Sequence, residues 1–224
     1  MKNLLFVGIL TFVFAFKIAD AQVQTGINGQ PVKETGYSEI QGDPYLISDW
    51  TNGYVTLEGN RKATADLKFD IVSNIILFKG KDGEPLELKD KAKSFALQPA
   101  NTNVTKLMPV VFVNGLPAVD KQSEDSFYQQ IAGGKIGLVK YYKKVIDEQP
   151  GSSYTSSTTR RFKLLQTYYI FKNNKLTAIE PGKKAFAALF DDHAKQYDEF
   201  LKGNNISFKN DADLQKLFAW YNSL

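Results

Sequence analysis

The sequence predicts an α+β fold. An antiparallel β-meander, forming a curved or partly closed sheet, is followed by two or three C-terminal α-helices packed on or beside it. Two observations carry this. The stretch "LKFDIVSNIILFKGKDGEPLEL", Leu67 to Leu88, alternates apolar and polar residues in short runs broken by turn residues, as half-buried strands do. After Ile179 the period changes, and apolar residues recur three and four apart, which is the spacing of one helix face.

Met1 and Lys2 precede an apolar run from Leu4 to Phe16, and Ala19-Asp20-Ala21 stands before Gln22. A charged start, an apolar core and a small-x-small site make a secretory signal peptide over residues 1–21. The run is shorter than the roughly 20 residues that a membrane span needs. No later stretch is long and apolar enough, so no span is expected after signal cleavage. Residues 22–42 hold Gly26, Gly29, Pro31 and Gly36 with little periodicity, and read as an irregular N-terminal arm. Residues 43–224 then form one α+β domain, β-rich over 43–180 and helical over 182–224.

Inside the meander, turn chemistry sets the expected register. Ser73-Asn74 as a two-residue loop places Phe69 opposite Phe78 and Ile71 opposite Ile76. Lys81-Asp82-Gly83 as a three-residue loop, with Gly83 left-handed, places Phe78 opposite Leu86. Gly59-Asn60-Arg61 as another puts Leu57 opposite Ala63 and Val55 opposite Ala65. Further strands are expected over Ser94–Gln98, Pro109–Asn114, Phe127–Ile131, Lys135–Ile146, Phe162–Phe171 and Lys175–Ile179. Asn173-Asn174 as a two-residue loop sets Phe171 against Leu176 and Tyr169 against Ala178. Residues 151–159 form a Ser/Thr-rich loop, open between a recognition loop and a plain excursion.

In the tail, Ala185, Phe186, Leu189 and Phe190 share one side of a helix beginning at Lys183. Asp192 can cap a second helix over His193–Lys202, stopped by Gly203. Asn210 and Asp213 resemble a capping box for a last helix, with Leu214, Leu217, Phe218 and Tyr221 as its buried stripe. The expected core joins Val55, Leu57, Leu67, Phe69, Ile71, Ile76, Phe78, Leu86 and Leu88 to Phe186, Leu189, Leu217 and Phe218.

Composition excludes several chemistries. The 224 residues contain no cysteine, so there is no disulfide, no lipid-bearing cysteine and no thiolate metal site. The formal net charge is +4, with both signs interspersed along the chain. That reads as a solvated surface and not as a nucleic-acid site. His193 is the sole histidine; Asp191 and Asp192 beside it lack the three- or four-residue spacing of paired helix ligands. No G-x-S-x-G elbow accompanies it, and Ser152, Ser153, Ser156 and Ser157 lie in the polar loop.

Gly133-Gly134-Lys135-Ile136-Gly137 lacks the G-K-[ST] ending of a phosphate loop and reads as a hairpin turn. Asp211-Ala212-Asp213 starts like a calcium loop without continuing as one. Asn103-Val104-Thr105 and Asn205-Ile206-Ser207 match the glycan acceptor rule, which matters only in a eukaryotic secretory pathway. Asp43, Asp49, Asp66 and Asp70 are the carboxylates from which a glycosidase pair would have to come.

Three stretches, "GDPYLISDWTNGYVTLEG", "LKFDIVSNIILFKGKDGEPLEL" and "FKNNKLTAIEPGKKAFAALFDDHAKQYDEFLKGNNISFKNDADLQKLFAWYNSL", together resemble an uncharacterised family of exported proteins of Bacteroidota-type Gram-negative bacteria. The shared patterns are a G-x-P-Y-L entry, a Y/F-D-I/L-x-x-N-x-L/I hairpin and a Lys-rich helical tail. Phe69 stands where Tyr is common. The resemblance implies periplasmic, extracellular or other envelope location and supplies no catalytic residue.

The sequence therefore assigns no catalytic, cofactor or metal residue and no cofactor. It is read as a non-catalytic binding module for an apolar ligand or an envelope partner. The alternatives are a structural or interaction protein with a filled core and, third, a carboxylate-based hydrolase. An enclosed apolar cavity favours the first, a filled interior the second, and converging carboxylates of perturbed pKa the third.

Overall fold

The computed structural model describes residues 27–32, 37, 39–98, 109–150 and 158–224. The strands are β1 (Gly29–Pro31), β2 (Thr51–Leu57), β3 (Lys62–Asp70), β4 (Ile75–Lys79), β5 (Pro85–Leu88), β6 (Ala92–Leu97), β7 (Val110–Val113), β8 (Tyr128–Ala132), β9 (Gly137–Gln149), β10 (Thr159–Lys172) and β11 (Lys175–Ile179). The helices are α1 (Lys183–Leu189), α2 (Ala194–Gly203) and α3 (Asp211–Asn222). All the strands join one antiparallel 11-stranded sheet in the order β1-β5-β4-β3-β2-β6-β7-β8-β9-β10-β11. The expected α+β meander with helices after it is the architecture found. The signal segment 1–21 lies outside the described residues, as do 151–157 of the Ser/Thr-rich loop.

The sheet is strongly curved but stays open. Strands β3 and β7 are three ladder steps apart, about 14 Å in a flat sheet, yet the rings of Phe69 and Phe112 lie 5.6 Å apart. Phe95 and Phe127 complete this cluster, at 5.0 and 5.9 Å from Phe69. A strap before β2 reinforces the curl. Gln41 donates its N–H to Arg160 of β10 and accepts from Phe162. Four residues on, Tyr45 bridges Asp70 of β3. Four residues span at most about 14 Å, whereas β3 and β10 would lie roughly 29 Å apart in a flat sheet.

Several expectations need correction. The β3–β4 register pairs Phe69 with Ile76 and Leu67 with Phe78, not Phe69 with Phe78. The turn is Ile71–Asn74, because the Asp70 carboxylate accepts the N–H groups of Val72 and Ser73 and Ile71 donates to Pro44 O. The β2–β3 register pairs Val55 with Ala63, since a 3₁₀ turn over Glu58–Asn60 carries Gly59 at φ 74°. Both slips are by two residues, so the apolar face is unchanged. The β4–β5 pairing of Phe78 with Leu86 and the β10–β11 pairings are those expected. The arm is not wholly irregular: β1 pairs with β5, and Ile40 is buried.

The helices also pack elsewhere than expected. Leu57, Leu67, Phe69, Ile76, Phe78, Phe95, Leu97 and Phe112 form one core. Phe186, Phe190, Tyr197, Leu214, Leu217, Phe218 and Tyr221 pack instead on Ile131, Ile136, Leu138 and Ile170 of the β8–β10 region, as a second core. A third cluster, Tyr128, Val139, Tyr169 and Leu176, occupies the opposite face beneath Leu116 and Val119. Asp192 does not cap α2; it accepts from the Tyr221 hydroxyl. Asn210 caps α3 through the N–H groups of Ala212 and Asp213, while the Asp213 carboxylate accepts from Ser207.

Candidate functional site

The longest strands, β9 and β10, place a row of side chains on the concave face: Leu138, Lys140, Tyr142 and Lys144 from β9, with Ile170, Tyr168 and Gln166 opposite the first three. Alternation puts these residues on one face. Leu138 and Ile170 belong to the helix-covered core, and Tyr142 packs against the aromatic core. Lys140 sits at the seam.

A buried ammonium needs a partner and satisfied hydrogen bonds. The Lys140 side chain is 7% exposed, and its Nζ lies 2.5 Å from Asp211 Oδ2. Asp211 is the first residue of α3, where the helix dipole favours a carboxylate. Its other oxygen accepts from the Tyr168 hydroxyl at 2.8 Å, and Gln129 Nε2 donates to Oδ2 at 3.4 Å. Tyr142 donates to Gln129 Oε1. The ammonium also stands over the rings of Tyr168 and Tyr142, 4.7 and 5.5 Å from their centroids. Burial, then Asp211, pushes both phenols well above their ordinary pKa. The network is closed: each polar group serves another, and neither phenol is poised to ionise near neutral pH.

Lys144, two positions further along this face, holds the strap. Its Nζ donates to the carbonyls of Asp43 and Tyr45 and pairs with Asp43 Oδ1 at 3.3 Å. Burial pushes the Asp43 carboxyl up, but the Ser48 hydroxyl, the Tyr45 N–H and Lys144 outweigh it and hold the group below its usual value.

The remaining sequence candidates do not converge. Asp70 is buried in its turn, while Asp49 and Asp66 are exposed. His193 stands between a 3₁₀ turn and α2; its Nε2 is 3.7 Å from Asp192, and its buried Nδ1 has no partner. Among the described residues no group of three His, Asp or Glu could hold a metal ion. Gly133–Ile136 is a turn, not a phosphate cradle. Its Ile136 N–H donates to Asn222 Oδ1, and Asn222 Nδ2 donates to the carbonyls of Gly133 and Ile136. The acceptor Asn103 lies outside the described residues; Asn205 is exposed between α2 and α3.

A cavity of about 340 Å³ opens at one rim of the curled sheet between Glu58, Asp90, Lys91, Lys93, Glu124 and Phe127. Its charges are mixed, and Asp90 is engaged by Asn28 and Arg61. A groove of about 470 Å³ runs between β11 and α1. The sequence reading missed the Lys140–Asp211 pair. Its one available signal was a lysine inside the otherwise apolar start of β9.

No family model, no curated protein and no solved structure matches this chain. No described helix is long and apolar enough to cross a membrane.

Proposed function

We propose that this is an exported, non-catalytic interaction protein of a Gram-negative cell envelope, with a filled interior and a macromolecular partner bound on its outer surface. The observation that carries the reading is the packing of the curved sheet. Phe69, Phe95, Phe112 and Phe127 occupy its hollow, Phe69 and Phe95 each in ring contact with the other three, and Phe95 and Phe112 are fully buried. A hollow filled at this density has little room for the apolar molecule that a ligand carrier would hold. The closed Lys140–Asp211 network and the isolated His193 also favour a non-catalytic role, since nucleophile and base must meet within hydrogen-bond reach. Export rests on the Lys2, apolar-run and Ala19-Asp20-Ala21 order.

Native mass spectrometry of the protein purified from its own envelope tests this. The expected result is a co-purifying polypeptide. A lipid-sized adduct released only on unfolding would overturn the filled-interior reading in favour of an apolar-ligand carrier.

A further inference from the structure

The two edges of the sheet are unlike each other. β1 is three residues long and carries Pro31, which has no N–H to offer, and shortness and proline both protect an edge from pairing. β11 stands at the other end of the order, and among the described residues nothing is paired beyond it. Its sequence Lys175-Leu-Thr-Ala-Ile179 has no proline and, after Lys175, no charge. Lys172 and Lys175 flank the two-residue Asn173-Asn174 turn as a cross-strand pair, and pairing continues to Thr177 and Ile179. By antiparallel alternation, Leu176 and Ala178 therefore turn their N–H and C=O groups outward.

Beside this edge runs the 470 Å³ groove, walled by Thr177 and Ile179 on one side and Ala185, Ala188 and Leu189 of α1 on the other. The small alanines leave the space. Charge along it is polarised. Lys172 and Lys175, both exposed, stand at one end, and among the described residues neither has an ion-pair partner. Exposed Glu180 follows at the other end. A strand added antiparallel to β11 would end beside the lysines; a parallel one would end beside Glu180.

We propose that the β11 edge takes up the free C-terminus of an extended peptide, added antiparallel as a twelfth strand. Main-chain bonds run to Leu176 and Ala178, alternate apolar side chains enter the groove, and the terminal carboxylate meets Lys172 and Lys175. This deepens the interaction-protein reading and rests on it.

The test is selection from a library of random heptapeptides with free C-terminal carboxylates, then titration of the best binder as acid and as amide. The full exported chain, isotope-labelled, is observed by NMR. Amidation and Lys175→Glu should each weaken binding at least tenfold. Ala188→Glu, which blocks the groove, and Ala178→Pro, which removes one outward N–H, should do the same. Shifts should be confined to residues 172–179 and 185–189. Equal binding of acid and amide, indifference to Ala188→Glu, no selected peptide, or a dimer through this edge would each overturn the inference. Co-purification separates the two levels. An envelope polypeptide retained by Ala188→Glu sinks the edge inference alone, whereas no polypeptide on the wild type sinks the interaction reading itself.

Discussion

Replacing Asp211 by alanine removes, among the described residues, the only carboxylate paired with Lys140, whose side chain is 7% exposed. The ammonium of Lys140 is then left in the sheet seam with two aromatic rings and no counter-charge. Stranding a buried charge costs about 3–5 kcal/mol. The Asp211 side chain is itself 31% exposed, so water can reach the vacated side, and the low end, about 3 kcal/mol, is expected. Lys140→Met strands the opposite partner. A carboxylate one-third exposed at a helix N-terminus can hydrate in place, so about 1–2 kcal/mol is expected. The double variant should fall near Lys140→Met alone, which leaves a coupling of about 3 kcal/mol in the cycle. Urea unfolding of the four proteins reads this directly. In thermal melts the Asp211→Ala loss corresponds to roughly 6–12 °C in Tm for a domain of this size. Additive single effects, or a larger loss for Lys140→Met, would refute the assignment of Lys140 as the buried partner.

Phe78→Ala should cost about 3–5 kcal/mol as a buried aromatic deletion, while Asp82→Ala in the following turn should stay within about 0.5 kcal/mol; equal shifts of the urea midpoint would show the face assignment to be wrong. Gly134→Ala should destabilise by about 2–3 kcal/mol, because Gly134 has φ 131° and an added Cβ would lie 2.5 Å from the Asn222 side chain; an unchanged Tm would contradict the turn geometry. Burial, aided by Tyr141 and Asp120, pushes the Tyr128 phenol up to about 12, and burial with Asp198 does the same for Tyr197. With raised folded values, both contributions are intact below the unfolded pKa of about 10 and are lost as pH rises toward 12, on the order of 5 kcal/mol in all. Urea midpoints that stay flat from pH 10 to 11.5 would refute this. Edman sequencing of the exported protein should begin at Gln22, and an intact Met1 on membrane-bound protein would remove the signal-peptide assignment.

Much of the fold is legible in residue order because strand faces follow a period of two. Val55, Leu57, Leu67, Phe69, Ile76 and Phe78 share a face whichever of two even registers applies, and they are buried together. The register itself was not legible. Asp70 folds its carboxylate over the next turn and widens it, and side-chain capping of that kind leaves no mark on periodicity. The Asn173-Asn174 turn is legible because both residues tolerate positive φ, here 51° and 54°. The α3 stripe was equally plain, but its target was not: Leu214, Leu217 and Phe218 meet strands more than 40 residues earlier in the chain, and no local pattern encodes that choice. The same holds for Lys140 and Asp211, 71 residues apart. Their pairing depends on where α3 docks.

The claim that the sheet interior is filled is tested most directly by NMR of methyl-labelled protein titrated with xenon and with palmitate. The methyl groups of Val55, Leu57, Leu67, Ile76 and Leu97, which line the aromatic core, should not move in the wild type. They should respond to xenon in Phe95→Ala, where removal of a fully buried ring opens an apolar cavity of the kind that takes up such probes. Saturable shifts of these methyls in the wild-type protein would contradict the account and mark the curved sheet as a ligand chamber.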